Sequence, residues 1–248
     1  MNDNRHIGVF DSGIGGLTVV NSLIRVLPNE SIYYVGDTAR VPYGNKSKDR
    51  IKQYSEEIVK WLINRNCKMI VIACNTASAI AIDYLKSKFK IPVIGVIKPG
   101  AKNAISITKN NSIGVLGTQA TIESNTYAEV LKSLNPNLDI ISKACPLFVP
   151  LVEEGLISGG IPTKIAYQYL ESFIQTDVDT VILGCTHYPL LKEVISKVLG
   201  NHVTLVDSGQ STAIAIKSKL NESRLLSNNS VGELEVFVTD SKNAFNKI

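Results

Sequence analysis

Cysteine and histidine are scarce in this chain, and neither is spaced to hold a metal. The four cysteines stand at positions 67, 74, 145 and 185 with no C-x-x-C pair among them, and His6, His187 and His202 have no matching ligand pair. Zinc sites are therefore not expected, and the cysteines are too sparse for a secreted disulfide scaffold. Free thiols in a reducing, cytoplasmic compartment follow. Long apolar runs are also missing. The longest, Met69 to Ile82, is broken by Asn75, Thr76 and Ser78, and Met1 to Phe10 is too polar for a signal-peptide core, so neither a membrane span nor a leader is expected. The net charge of +4 is spread over short stretches without interleaved aromatics, which argues against nucleic acid as the main partner. Nucleotide fingerprints fail as well. Gly13-Ile14-Gly15-Gly16-Leu17-Thr18 puts Thr18 where a dinucleotide loop needs its third glycine, and no Gly-Lys-Ser/Thr ending makes it a P-loop.

What remains is an ordinary globular composition, 44% apolar and 19% charged, in 248 residues, enough for one large α/β unit or two compact ones. Short β-branched runs read as buried strands: Ile7 to Phe10, Ile32 to Val35, Met69 to Ala73, Val93 to Ile97, Ile113 to Leu116, Val181 to Leu183 and Val203 to Val206. Helical spacing lies between them. Leu17, Val20, Leu23 and Leu27 run up to Pro28, and Ile51, Tyr54, Ile58 and Leu62 follow a Ser47 cap. Alternation of this kind predicts right-handed βαβ units and mainly parallel sheets.

Polar and small residues follow nearly every expected strand: Asp11-Ser12-Gly13, Gly36-Asp37-Thr38, Cys74-Asn75-Thr76, Gly117-Thr118, Cys185-Thr186-His187 and Asp207-Ser208-Gly209. Ligands bind at that edge of open α/β sheets. A faint repeat accompanies the pattern. Ile7-Gly8-Val9 precedes Cys74-Asn75-Thr76 by about 67 residues, and Ile113-Gly114-Val115 precedes Cys185-Thr186-His187 by about 72. Each half then offers one strand-end cysteine, and two similar domains would face each other.

A cysteine at a strand end and helix start sits near free N–H groups and the positive end of a helix dipole, which favours its thiolate and a nearby carboxylate. Pro189 is placed as an early residue of a helix after Cys185. Cys67 and Cys145 read as small buried hydrophobes. Two thiols on opposite sides of one carbon suit a two-base racemisation or epimerisation, in which one removes a proton and the other returns one to the opposite face. Cys185 with His187 two residues away also fits a cysteine hydrolase, a reading that leaves Cys74 unexplained. Asp11 could hold an ammonium group or assist a thiol, Glu153 could do likewise, and His187 could protonate or orient. Asn75, Thr76, Thr118, Thr121 and Thr186 offer neutral hydrogen bonds, although threonines at such places are often helix caps. Lys98, just past the strand ending at Ile97, could form a Schiff base, but no phosphate loop accompanies it.

Four ordered motifs now resemble glutamate racemase: Phe10-Asp11-Ser12-Gly13-Ile14-Gly15-Gly16-Leu17, Gly36-Asp37-Thr38-Ala39-Arg40-Val41-Pro42-Tyr43-Gly44, Ala73-Cys74-Asn75-Thr76-Ala77-Ser78-Ala79 and Gly184-Cys185-Thr186-His187-Tyr188-Pro189-Leu190. The similarity runs from Ile7 to about Ser208. It implies a cofactor-independent, homodimeric enzyme of two similar α/β domains, residues 1–96 plus 208–248 and residues 97–207, with glutamate held between them. It further implies that Cys74 deprotonates D-glutamate and Cys185 L-glutamate, assisted by Asp11, Glu153 and His187. Asp11, Ser12, Tyr43, Gly44, Asn75, Thr76, Thr118, Thr121, Thr186 and His187 would contact substrate. Aspartate racemases of the same wider family carry Ala-His after the first Cys-Asn-Thr and Glu after Gly-Cys-Thr, where this chain has Ser78 and His187, so glutamate is preferred over aspartate. The family's D-glutamate feeds bacterial cell-wall synthesis. Two departures stand out: Lys98 occupies a position that is often acidic, and the chain stops at Ile248, short of a final helix.

Overall fold

A computed structural model describes residues 3–240. The first half of the chain lays down β1 (Ile7–Asp11), α1 (Leu17–Val26), β2 (Ile32–Gly36), α2 (Lys48–Asn64), β3 (Met69–Ile72), α3 (Asn75–Ile80), α4 (Ile82–Lys88) and β4 (Val93–Gly95). The second half continues with α5 (Ile97–Ile107), β5 (Ser112–Gly117), α6 (Gln119–Glu123), α7 (Thr126–Leu134), β6 (Asp139–Ala144), α8 (Phe148–Glu153) and α9 (Gly160–Ile174). It ends with β7 (Thr180–Gly184), α10 (Lys192–Leu199), β8 (Thr204–Val206), α11 (Gly209–Glu222) and β9 (Leu234–Val238).

Two sheets form, in the orders β4-β3-β1-β2-β9 and β6-β5-β7-β8, and every pairing among the described strands is parallel. Helices cover both faces, which is why β1, β3, β5 and β7 are apolar runs buried on both sides rather than alternating strands. The two sheets match strand for strand: β1 with β5, β3 with β7, β2 with β6 and β4 with β8. The Ile-Gly-Val repeat therefore marks the central strand of each sheet, and each cysteine follows the neighbour of that strand.

The helices after β4 and β8 change sides. α5 packs on α7 and β7 of the second sheet, while α11 returns to pack on α1 of the first and also touches α5. These two crossovers join the halves. Beyond α11, β9 adds to β2 at the edge of the first sheet. Its root is held by a buried ion pair between Lys68 and Glu30, with Nζ and Oε2 2.5 Å apart. Lys68 Nζ also donates to the Leu225 carbonyl, and Glu30 Oε1 accepts from Ser227 N. Among the described residues, no helix is long and apolar enough to cross a membrane.

Several expectations need correction. β4 ends at Gly95, not Ile97, because Ile97 opens α5, so Lys98 lies in a helix's first turn and is exposed to solvent. Two strands are additional. β6 is half-exposed along its length, and β9 sits on an edge with its first residues exposed, so neither carries the apolar run of a buried strand.

Candidate active site

The carboxyl ends of the central strands of both sheets converge. Ser12, Pro42, Tyr43, Gly44, Cys74, Asn75, Thr76, Thr118, Val149, Cys185, Thr186 and His187 enclose a cavity of about 10 Å³, room for about one water. Ten of these twelve are residues assigned a role in the site on sequence grounds. Pro42, which follows Val41 through a cis peptide, and Val149 on α8 are not.

Cys74 leaves β3 and becomes the N-cap of α3, its sulfur accepting from Ala77 N at 3.5 Å. Its thiol donates to Ser12 Oγ at 3.7 Å. The cap was expected to favour a thiolate, and here the opposite holds: burial, then the nearby Asp11 carboxylate, push the Cys74 thiol up to about 12. One weak N–H contact at the end of a six-residue helix does not offset the loss of water.

The other half is built differently. Cys185 is followed not by a helix but by a turn into a 3-10 segment, Tyr188–Leu191, with Pro189 in its first turn, and α10 starts only at Lys192. The segment that follows Cys185 therefore offers it no α-helix N-terminus of its own. Its partner is His187, whose Nδ1 lies 3.9 Å from the sulfur. On the ring's far side Glu153 Oε1 is 3.4 Å from Nε2, within ion-pair reach but misaligned, so Nε2 has no hydrogen-bond partner among the described residues. Burial works against a charged ring, but Cys185, Glu153 and Asp11 outweigh it and raise His187 to about 10. Glu153 lies at the rim, half-buried.

Asp11 is fully buried below the cavity floor. Its Oδ2 accepts from Gly13 N and its Oδ1 from Thr186 Oγ1 of the opposite half at 3.2 Å, while burial raises its pKa. Thr121 likewise stands behind the lining, joined with Thr76 and Thr118 in a triangle of hydroxyls 2.9–3.1 Å apart that spans the two halves. Thr118 is a helix cap as well as a lining residue, accepting from Thr121 N. Cys67 and Cys145 are buried away from the cavity, their thiols raised by burial to about 11 and about 12. Two of the six strand-end loops supply no lining residue: Gly36-Asp37-Thr38, which stands behind Tyr43, and Asp207-Ser208-Gly209. Ser208 packs against Gly100 where α5 and α11 cross, because the crossovers carry the β8 end away from the cavity.

Supports assigned no role on sequence grounds hold the lining in place. Asp37 accepts from Tyr43 Oη at 2.5 Å and from Thr239 Oγ1 at 2.7 Å. Tyr34 Oη donates to the Gly13 carbonyl at 2.6 Å. Gly15 has no side chain because none fits: a Cβ there would stand 2.6 Å from Thr186 Oγ1 and 2.7 Å from His187 Nδ1. Among the described residues no cluster of three or more His, Cys, Asp or Glu is placed to hold a metal ion.

This arrangement puts one thiol from each half against a single enclosed volume, each with its own polar neighbours. Known proteins resemble the chain over nearly its whole length. A glutamate racemase of Sulfurihydrogenibium sp. is 51% identical over 98% of this chain and 91% of its own. The crystal structure of a glutamate racemase isoform from Bacillus anthracis superposes with a TM-score of 0.95 at 43% identity, covering 98% of this chain and 92% of that one. One from Francisella tularensis, solved in complex with D-glutamate, gives 0.92 at 45% identity, covering 98% and 91%. The Asp/Glu/Hydantoin racemase family model matches residues 7–216, a span that includes every residue lining the cavity, and the chain belongs to that family.

Proposed function

We propose that this enzyme interconverts L- and D-glutamate by a two-thiol mechanism without a cofactor. The observation that carries the proposal is the pair Cys74 and Cys185 on one small cavity, each delivered by the corresponding strand of its own sheet. Glutamate as the substrate rests on relatives 43–51% identical over nearly the whole chain.

In the L-to-D direction the Cys185 sulfur takes the α-proton, the C–H electron pair spreads into the substrate carboxylate, and the Cys74 S–H protonates the opposite face. The reverse direction exchanges the roles. At neutral pH Cys74 holds its proton, so it stands ready to donate. His187 is charged and stabilises negative charge on the neighbouring sulfur, with Glu153 passing the proton onward to solvent at the rim. Asp11 receives the substrate ammonium. That positive charge offsets the carboxylate's effect on Cys74 and lets the thiol titrate during turnover. Asn75, Thr76, Thr118 and Thr186 supply neutral hydrogen bonds to the carboxylates, Thr121 contributes through its bonds to the Thr76 and Thr118 hydroxyls, and Ser12, Tyr43 and Gly44 close the site. The product feeds cell-wall peptide synthesis in a reducing cytoplasm, and the working form is a homodimer.

The test is α-proton exchange and optical rotation of L- and D-glutamate in heavy water, with aspartate as control. Wild type should racemise glutamate, and Cys74→Ser and Cys185→Ser should each lower inversion by at least about 100-fold. Retained inversion in either variant would refute the two-thiol mechanism, and a preference for aspartate would refute the substrate. Light scattering on the same wild-type sample should give twice the chain mass; a monomer removes the dimer from the proposal.

A further inference from the structure

The residue after Cys74 and the residue before Cys185 are both touched by one side chain of the second half. Tyr127, at the start of α7 and 2% exposed, donates its hydroxyl to Asn75 Oδ1 at 2.6 Å. Its ring lies against Gly184, where an added Cβ would stand 3.1 Å from Tyr127 Cε2. The preceding Thr126 donates from Oγ1 to the Ala79 carbonyl at 3.1 Å, so the first turn of α7 grips α3 near both ends. Asn125, with φ of 58°, sets that turn's entry angle.

The consequence concerns the Asn75 amide. A side-chain amide can present either its oxygen or its NH₂ to a ligand, and the two faces are nearly isosteric. Tyr127 Oη occupies the oxygen. Asn75 lines the cavity, and its Nδ2 has no protein partner among the described residues. An NH₂ turned toward the cavity donates to an anionic oxygen; the flipped amide could still donate to Tyr127 Oη but would turn a lone pair on the anion, so with a carboxylate in the cavity the donor-outward amide is the one that satisfies both partners.

We infer that Tyr127 is a positioning residue for the reaction: it fixes the Asn75 amide with its donor face toward a substrate carboxylate, and so couples anion recognition beside Cys74 to the seating of the Cys185-bearing half. It acts through Asn75 and does not reach the reacting carbon. The inference rests on the glutamate racemisation proposed above.

Tyr127→Phe removes the hydroxyl and keeps the ring on Gly184. It should raise the KM for both enantiomers about tenfold, with kcat changed less than about threefold, because the lost contact serves binding more than proton transfer. The thermal midpoint should stay close to wild type. In an Asn75→Ala background the same substitution should add nothing, since the group it orients is gone. A KM within twofold of wild type would overturn the inference. So would an equal increment with and without Asn75, or a fall in kcat and thermal midpoint at unchanged KM, the signature of a packing role. Wild type is assayed first. Failure there to racemise glutamate fells the functional proposal and this one together, whereas an active wild type with an indifferent Tyr127→Phe fells this one alone.

Discussion

At the scale of single residues, the two thiols are polarised by their neighbours. Cys74 faces a buried carboxylate and a hydroxyl, and Cys185 faces an imidazole raised to about 10. The imidazole leaves a mark on stability. A histidine titrates near 6.5 in the unfolded chain, so the folded state binds the extra proton between pH 6.5 and about 10. The resulting stabilisation is complete below pH 6.5 and fades as pH rises through about 10. Urea midpoints measured from pH 6 to pH 10 should fall more steeply for wild type than for His187→Gln. Parallel curves would mean that His187 is not held charged. The thiols also ionise in this range once unfolded, which is why the comparison between the two proteins, rather than the wild-type slope, is informative.

At the scale of elements, the β1–α1 loop is a closely fitted contact across the cleft. Gly15 admits Thr186 and His187 to distances a side chain would forbid, and Gly44 does the same for Thr118, where a Cβ would stand 2.5 Å from Thr118 Cβ. Gly15→Ala should therefore hold the halves apart without unfolding either, since overpacking of this size costs about 1–3 kcal/mol and falls on closure. The expected result is kcat/KM down about 10- to 100-fold with a nearly unchanged thermal midpoint. Activity within twofold of wild type would show that the loop has slack.

At the scale of the whole molecule, the cavity's 10 Å³ cannot receive an amino acid as it stands. Entry requires the lining to open, which separation of the two halves would accomplish. The links between them include two helical crossovers, α5 and α11, apolar contacts of Ala79 and Ala120 with the opposite core, and a set of hydroxyl and amide contacts around the cavity, among them Thr76–Thr118, Thr186–Asp11 and Tyr127–Asn75. Such polar contacts exchange readily with water, whereas the apolar cores of the two halves do not. The radius of gyration from X-ray scattering should therefore fall when D-glutamate is added to the free protein. An unchanged radius with bound ligand would mean that access comes from local loop movement instead.

Periodicity and strand-end chemistry made much of this legible in the sequence. Buried parallel strands must be apolar on both faces, so β1, β3, β5 and β7 stand out as runs, and loops at their carboxyl ends must be polar if they line a site, so Asp11, Cys74, Thr118 and Cys185 could be picked out before any coordinates. β6 and β9 could not, because half-exposed and edge strands lack that apolar contrast. Nor could the helix-free start after Cys185, the raised Cys74 thiol or the withdrawal of Ser208 from the cavity. Tyr127 looks in sequence like any apolar helix position. Its partner lies 52 residues earlier in the other half. Local spacing determines which residues sit at a strand's end; which of those ends meet, how dry the space between them is, and what each side chain then touches depend on the two crossovers, a long-range arrangement that no local pattern encodes.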